Sequence, residues 1–460
     1  MGRIFGTDGA RGIANTEISC KLAMNLGRAA AMVVAEQLGR QPTVLVGKDT
    51  RISSDMLEAA ITAGLCSVGA NAVQIGVVPT PAVAHLITAE HADAGIMLSA
   101  SHNSYEFNGI KIFGAEGYKL TDEQEFEIEE IVLDKVKPYL IRWGWELGRI
   151  TRDENLVNHY IDHVAQTVQG DFSGFKVALD CSNGSASSTA EKLFGKLGVQ
   201  MTLLGCDPNG ININRDCGST HIESLAEFVA EGGYDAGFAF DGDADRCIAV
   251  DEKGSIVDGD VIMAILATDR RARALLNDDT IVATVMSNLG LFRFAEKNGF
   301  RVEKTKVGDR YVLRQMRRKG YNLGGEQSGH VILSDYMSTG DGQLTACHVL
   351  QAMANSDKSL SELAAIMPLY PQVMRNIRAD AVMKSMLDVD EGAAKIIEEA
   401  KEELGDEGRI LVRASGTEPL IRVMIEGMDK GAIDDLLCRM SERLEERLSQ
   451  NEEYKMQEGF

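Results

Sequence analysis

A chain of 460 residues with 44% hydrophobic content, 25% charged content and a formal net charge of −22 is too long for one hydrophobic core, which stops growing near roughly 250–300 residues. The negative balance argues against nucleic acid or an anionic membrane surface as a partner, and no apolar run approaches the roughly 20 residues of a membrane span. The N-terminus has no apolar h-region, so no secretory leader is expected; eight cysteines scattered without a CxxC pair read as reduced thiols of a cytoplasmic protein.

In chain order, Phe5-Gly6-Thr7-Asp8-Gly9-Ala10-Arg11-Gly12 combines glycines with one cation and suits a loop pressed against an anion. Residues 43–47 form an apolar run, followed by polar loop residues, a helix over about 54–68, Gly69 and a second apolar run over 72–75. The order recurs at 176–180, a helix near 188–197, Gly198 and 199–204. It recurs again at 280–285, a helix near 291–298, Gly299 and 300–304. Strand, loop, amphipathic helix and glycine stop mark a βαβ unit, so three related α/β domains are predicted. After Pro368 and Pro371 the pattern changes to a charged helix over 391–404, strands over 409–412 and 420–427 and a long helix over 430–448. That predicts a smaller C-terminal α+β domain with a frayed tail from Ser449. The expected domains are 1–155, 156–258, 259–370 and 371–460.

Four loops carry chemistry. The run over 94–98 ends in Ser99-Ala100-Ser101-His102-Asn103, with Asn108-Gly109-Ile110-Lys111 beyond. Ser101 sits where a strand gives way to a loop, and His102 and Lys111 could lower the charge cost of a nucleophilic or phosphorylated serine. Asp241-Gly242-Asp243-Ala244-Asp245-Arg246 gathers three carboxylates at alternate positions, oxygen ligands for Mg²⁺ or Ca²⁺. It is not an EF-hand: the glycine needed at the sixth position is Arg246, and strands rather than helices flank it. Gly324-Gly325-Glu326-Gln327-Ser328-Gly329-His330 offers Glu326, Ser328 and His330 to sugar hydroxyls on a backbone that a ligand can approach closely. Arg413-Ala414-Ser415-Gly416-Thr417-Glu418-Pro419, closed by Arg422, joins two arginines, two hydroxyls and a glycine-freed amide in a phosphate cradle.

A serine loop, a metal loop, a sugar loop and a phosphate loop, one per domain in that order, resemble the α-D-phosphohexomutase superfamily over nearly the whole chain. Gly6–Gly12, Gly325–His330 and the run from Ser415 to Val423 (residues 415–423) resemble in particular the branch that handles glucosamine phosphates. The resemblance implies four domains around a central cleft and a resting phosphoserine at Ser101, sharing Mg²⁺ with Asp241, Asp243 and Asp245. It implies acid, base or charge help from His102, Lys111 and Arg11. Substrate contacts would come from Arg246, Glu326, Ser328 and His330. The non-reacting phosphate would be held by Arg413, Ser415, Gly416, Thr417 and Arg422. The implied reaction interconverts glucosamine 6-phosphate and glucosamine 1-phosphate through a 1,6-bisphosphate and feeds cell-wall precursor synthesis. Glucose or glucosamine 1,6-bisphosphate would act as activator. Gln327 favours the amino sugar; phosphomannomutase or phosphoglucomutase activity is the alternative, and homodimerisation stays open. Two residues depart from the family: Ser104 stands where proline is usual, and Phe107 where an acid often precedes Asn-Gly. Loss of the proline restraint predicts a looser serine loop. A metal-dependent phosphatase would need no distal cradle, and a non-catalytic sensor would be expected to lose Ser101 or an aspartate of the metal loop.

Overall fold

The computed structural model describes residues 2–6, 8–415 and 419–457. The chain packs as two units, Met1–Ser287 with Lys297–Ile366, and Asn288–Glu296 with Met367–Phe460.

The first unit repeats one four-strand arrangement three times. In the first copy β1 (Phe5–Gly6) and β2 (Gly9–Ile13) precede β3 (Thr43–Lys48), β4 (Asn71–Val77), β5 (Ala94–Leu98) and β6 (Phe107–Gly114), with β7 (Ile150–Arg152) at the edge. The second uses β8 (Lys176–Asp180), β9 (Gln200–Leu204), β10 (Ala236–Phe240), β11 (Cys247–Asp251) and β12 (Ile256–Val257). The third uses β13 (Thr280–Thr284), β14 (Arg301–Thr305), β15 (Leu323–Gly325) and β16 (Val331–Leu333). The spatial orders β4-β3-β5-β6, β9-β8-β10-β11 and β14-β13-β15-β16 correspond strand for strand. In each, the first three are parallel and the fourth turns back antiparallel. β5, β10 and β13 are buried at every residue, as expected of parallel strands covered on both faces.

The predicted βαβ units are therefore present, with small shifts at their ends. The helix after β3 is Ile52–Ser67. The one expected near 188–197 is a 3₁₀ turn, Ser185–Ser188, followed by Ala190–Lys196. Ser187 and Ser188 donate their hydroxyls to the carbonyls of Gly184 and Ser185 at 2.6 and 2.8 Å, local bonds that compete with a regular helix start.

The second unit is the predicted α+β domain with one more strand than expected. β17 (Gln372–Arg378) pairs with β19 (Leu420–Glu426), which also pairs with β18 (Arg409–Ala414), so β19 is central. Ile377, Ile421, Val423 and Ile425 pack with Leu436, Leu437, Met440, Leu444 and Leu448 of the last helix. That helix is Lys430–Gln457, so the tail expected to fray from Ser449 is helical as far as Gln457. No glycine or proline interrupts residues 449–457, and these are the strongest helix breakers. No helix among the described residues is long and apolar enough to cross a membrane.

Candidate active site

The three repeats place three chemical loops at one topological position, the return from the third strand to the antiparallel fourth. The β5–β6 return carries Ser101, the β10–β11 return carries Asp241 to Arg246, and the β15–β16 return carries Glu326 to His330. Each begins at the carboxyl end of a parallel strand, where α/β sheets form ligand sites.

Ser101 is fully buried and takes a left-handed backbone, φ 52°. Its Oγ donates to Asp241 Oδ2 at 2.5 Å, joining the serine loop to the metal loop. The approach requires glycine at 242, since a Cβ there would fall 2.5 Å from the carbonyl oxygen of Ser101. The loop is not loose for want of a proline at 104. Buried Arg51 donates to the carbonyls of Ser101 (2.9 Å), Asn103 (2.7 Å), Phe107 (3.0 Å) and Ser104. Its own charge is met by Asp49 at 2.8 Å. Asn214 Nδ2 adds bonds to the Ser101 and Asn103 carbonyls, both 2.9 Å.

Asp241, Asp243 and Asp245 each offer an oxygen within 4.8 Å of the others, and all three are buried. Burial, then the charges of Asp245 and Asp243, push the Asp241 carboxyl up to about 8. Asp243 Oδ1 is buried with no hydrogen-bond partner among the described residues, while Oδ2 accepts from Thr80 Oγ1 at 2.5 Å and Lys111 Nζ at 2.7 Å. An all-oxygen set with excess negative charge and an unmatched buried acceptor fits a hard divalent cation such as Mg²⁺.

Lys111 Nζ also lies 3.2 Å from Asp245 and 3.0 Å from Asp8. Burial alone would lower it, but Asp243, Asp245 and Asp8 outweigh burial and hold it well above the usual lysine range. Arg11 contacts Asp8. Arg246 Nη1 donates to His102 Nδ1 at 3.1 Å. Burial, then Arg246 and Arg11, lower His102 to about 4, so its ring is neutral at physiological pH.

In the sugar loop Glu326 Oε1 accepts from the Gly308 N–H at 2.9 Å, and Ser328 is exposed. His330 is turned toward the metal loop: Gly340 N–H points at Nε2 (3.2 Å), and Nδ1 faces Asp245 Oδ1 at 3.5 Å. Gln327, the expected mark of an amino sugar, spends its side-chain amide on Asp258 Oδ2 at 3.1 Å. The cue therefore lies in a bond within the scaffold.

Sequence reading missed Arg51, Asn214, Lys119 and Asp309 and gave Asp8 no role. Asp49 and Arg51 follow β3, whose Lys48 pairs with Leu98 of β5, so their position at the carboxyl end beside the serine loop was the available signal. Lys119 joins Asp8 to Asp309 across the first and third repeats, and residues 190 positions apart leave no local pattern.

In the second unit Arg413 and Arg422 are direct cross-strand partners on β18 and β19. Side chains directly opposite on an antiparallel pair share a face, and like charges there are unfavourable without an anion. Burial, then Arg422, lower Arg413. Ser415 N–H donates to the Leu420 carbonyl at 2.8 Å. Gly416 and Thr417 lie outside the described residues.

Models of the phosphoglucomutase/phosphomannomutase family match the chain in order. Alpha/beta/alpha domain I covers residues 2–138, domain II 158–254, domain III 258–370 and the C-terminal domain 374–443. A phosphoglucosamine mutase of Acetivibrio thermocellus is 50% identical over 97% of this chain and 100% of its own length. One of Clostridium acetobutylicum is 49% identical over the same shares. Among solved structures, a phosphoglucomutase/phosphomannomutase family protein of Burkholderia thailandensis has a TM-score of 0.80 at 24% identity, covering 97% of both chains. Aspergillus fumigatus N-acetylphosphoglucosamine mutase, solved with GlcNAc-6P and magnesium, has a TM-score of 0.68 at 16% identity, covering 96% of this chain and 95% of that one.

Proposed function

This chain belongs to the phosphoglucomutase/phosphomannomutase family of α-D-phosphohexomutases, and we propose that it interconverts glucosamine 6-phosphate and glucosamine 1-phosphate. It is an isomerase of the intramolecular phosphotransferase kind, as are its half-identical, full-length relatives. The observation that carries the reading is the 2.5 Å bond from Ser101 Oγ to Asp241 in a buried three-aspartate cluster.

Ser101 rests as phosphoserine. Its Oγ–P bond breaks as a P–O bond forms to the free sugar hydroxyl, giving the 1,6-bisphosphate; after the intermediate turns end for end, the other phosphate returns to Ser101. Asp241, Asp243, Asp245 and the serine's phosphate oxygens are the groups that would hold Mg²⁺. When bound, the ion neutralises charge on the phosphoryl oxygens. Lys111 and Arg11, held charged, offset negative charge around the transferred group. His102 is the only neutral member of the three expected acid–base groups, which leaves it to accept the hydroxyl proton and pass it to the Ser101 oxygen that leaves the phosphoryl group. His330, with both ring nitrogens engaged, positions Asp245, and Glu326 and Ser328 meet the ring hydroxyls beside Arg246. Added glucose or glucosamine 1,6-bisphosphate rephosphorylates enzyme that has lost its phosphate. The domains divide at 155, 258 and 370, and the reaction belongs to the cytoplasm.

Coupled assays with glucosamine, glucose and mannose 1-phosphates test the assignment: the glucosamine ester is expected to have the highest kcat/KM. A larger value for glucose or mannose phosphate would transfer the protein to the hexose branch. Asp243→Asn removes one ligand charge, so Mg²⁺ affinity falls at least about tenfold; it also takes one partner from buried Lys111, which keeps Asp245 and Asp8, so the melting temperature falls but the chain stays folded. Isothermal titration with Mg²⁺ and thermal melts read both, and unchanged Mg²⁺ affinity would remove the cluster from the metal site.

The Arg413–Arg422 pair, with Ser415, Gly416 and Thr417, is the cradle for the phosphate that is not reacting. A charge-assisted hydrogen bond to phosphate is worth about 1.5–3 kcal/mol, or about tenfold to over a hundredfold in affinity. Arg422→Ala is thus expected to raise KM for the monophosphate and to release more bisphosphate per turnover. Wild-type KM with wild-type leakage would place the cradle elsewhere.

A further inference from the structure

With Gln327 committed to Asp258, another group must distinguish an amino sugar from a hexose. At neutral pH the amine of glucosamine phosphate carries a positive charge, and the first and second repeats already converge four fixed cations, Arg11, Lys111, Lys119 and Arg246. An ammonium entering there needs a carboxylate oxygen that is not a metal ligand, not surrounded by several cations, and not already engaged by the scaffold or by the ring hydroxyls.

The acidic groups can be taken one by one. Asp241, Asp243 and Asp245 form the metal cluster, with Lys111 on two of them. Asp8 is contacted by Arg11, Lys111 and Lys119 together. Glu326 accepts the Gly308 N–H and feels the Arg246 charge. Asp258 accepts from Gln327 and from the Asp260 and Val261 amides. Asp309 remains. Its Oδ2 has one fixed cationic partner, Lys119 Nζ at 2.5 Å, which it shares with Asp8, and His330 Nε2 stands 3.8 Å away. Its side chain keeps 15% exposure, and His330 stands between it and the metal loop, with ring nitrogens 3.8 Å from Asp309 and 3.5 Å from Asp245. Asp309 also directly follows Gly308, whose N–H holds Glu326 of the sugar loop, so a sugar bonded to Glu326 comes within reach of it.

We infer that Asp309 is the specificity residue that receives the ammonium group of the substrate through its unshared carboxylate oxygen, an assignment that rests on the glucosamine phosphate reading above. Burial, the largest influence, would raise this carboxyl, but Lys119 and His330 together outweigh it and lower the carboxyl, which suits a counter-charge for an ammonium.

The test compares kcat/KM for glucosamine 1-phosphate and glucose 1-phosphate in wild type, Asp309→Asn and Lys119→Gln, each with Mg²⁺ and glucose 1,6-bisphosphate. Asp309→Asn is expected to shrink the preference for the amino sugar by about tenfold to a hundredfold, the worth of a charge-assisted hydrogen bond. Lys119→Gln breaks the same ion pair but keeps the carboxylate, so both substrates suffer alike and the ratio holds. Should Asp309→Asn alone fail to fold, Asp309→Asn with Lys119→Gln removes both partners and leaves no lone buried charge; it too should lose the preference. A wild-type ratio in the Asp309 variants overturns the assignment. Wild type that uses glucose 1-phosphate but not glucosamine 1-phosphate overturns the underlying reading, and the assignment with it.

Discussion

Ser101→Ala is expected to abolish turnover, lowering kcat by at least about four orders of magnitude, because no neighbouring group can take over the phosphoryl group. Ser99 is the nearest hydroxyl on the loop, but it is fully buried and donates to Asp49 Oδ2 at 2.6 Å while accepting the Ser101 N–H. His102 is held by Arg246 at 3.1 Å. The fold should survive, since alanine retains the Cβ and loses only the bond to Asp241. Intact-mass measurement separates chemistry from collapse: active wild type should be about 80 Da heavier than its sequence, from one phosphate on serine, and the variant should carry no such mass. An alanine variant with wild-type turnover would end the phosphoserine mechanism.

The loops were legible for a common reason. Ser99–Asn103, Asp241–Arg246 and Gly324–His330 are each polar or glycine-rich and follow a short apolar run, so a strand-to-loop transition announces itself locally. That the three sit at one topological position was not legible, because strand order is set by long-range pairing such as Val46 with Ile96 or Val282 with Gly324. β17 went unseen for a related reason. Its burial alternates weakly, with only Ile377 fully covered, and its assignment comes from pairing with β19 rather than from a strong apolar pattern. Gln327 pointed to the amino-sugar branch, as the half-identical relatives do, but the direction of its side chain, toward Asp258, depends on a loop 69 residues away. Motif residues reveal which groups are available, and only the packing reveals which are already spent.

Arg51 makes that point testable. It lies between β3 and the helix Ile52–Ser67 and looks like an ordinary charged residue in a loop, yet it is 2% exposed and binds four carbonyls of the serine loop. Arg51→Met keeps much of the volume and removes every donor. Asp49, 1% exposed, would keep hydrogen bonds from Ser54 and Ser99 but lose its cation. Breaking one side of a buried ion pair costs about 3–5 kcal/mol, and each carbonyl left without a donor adds to this. At about 2–4 °C per kcal/mol for a domain of this size, melting should fall by roughly 10 °C. The left-handed backbone at Ser101, unfavourable for a residue with a Cβ, would lose two of its restraints, the Arg51 bonds to the Ser101 and Asn103 carbonyls. Turnover should therefore fall further than stability alone explains when measured well below the melting point. Adding Asp49→Asn removes the stranded charge and should restore part of the stability but not the turnover, because the carbonyls remain unheld. If Arg51→Met melts and turns over like wild type, Asn214 and the local backbone bonds hold the serine loop unaided.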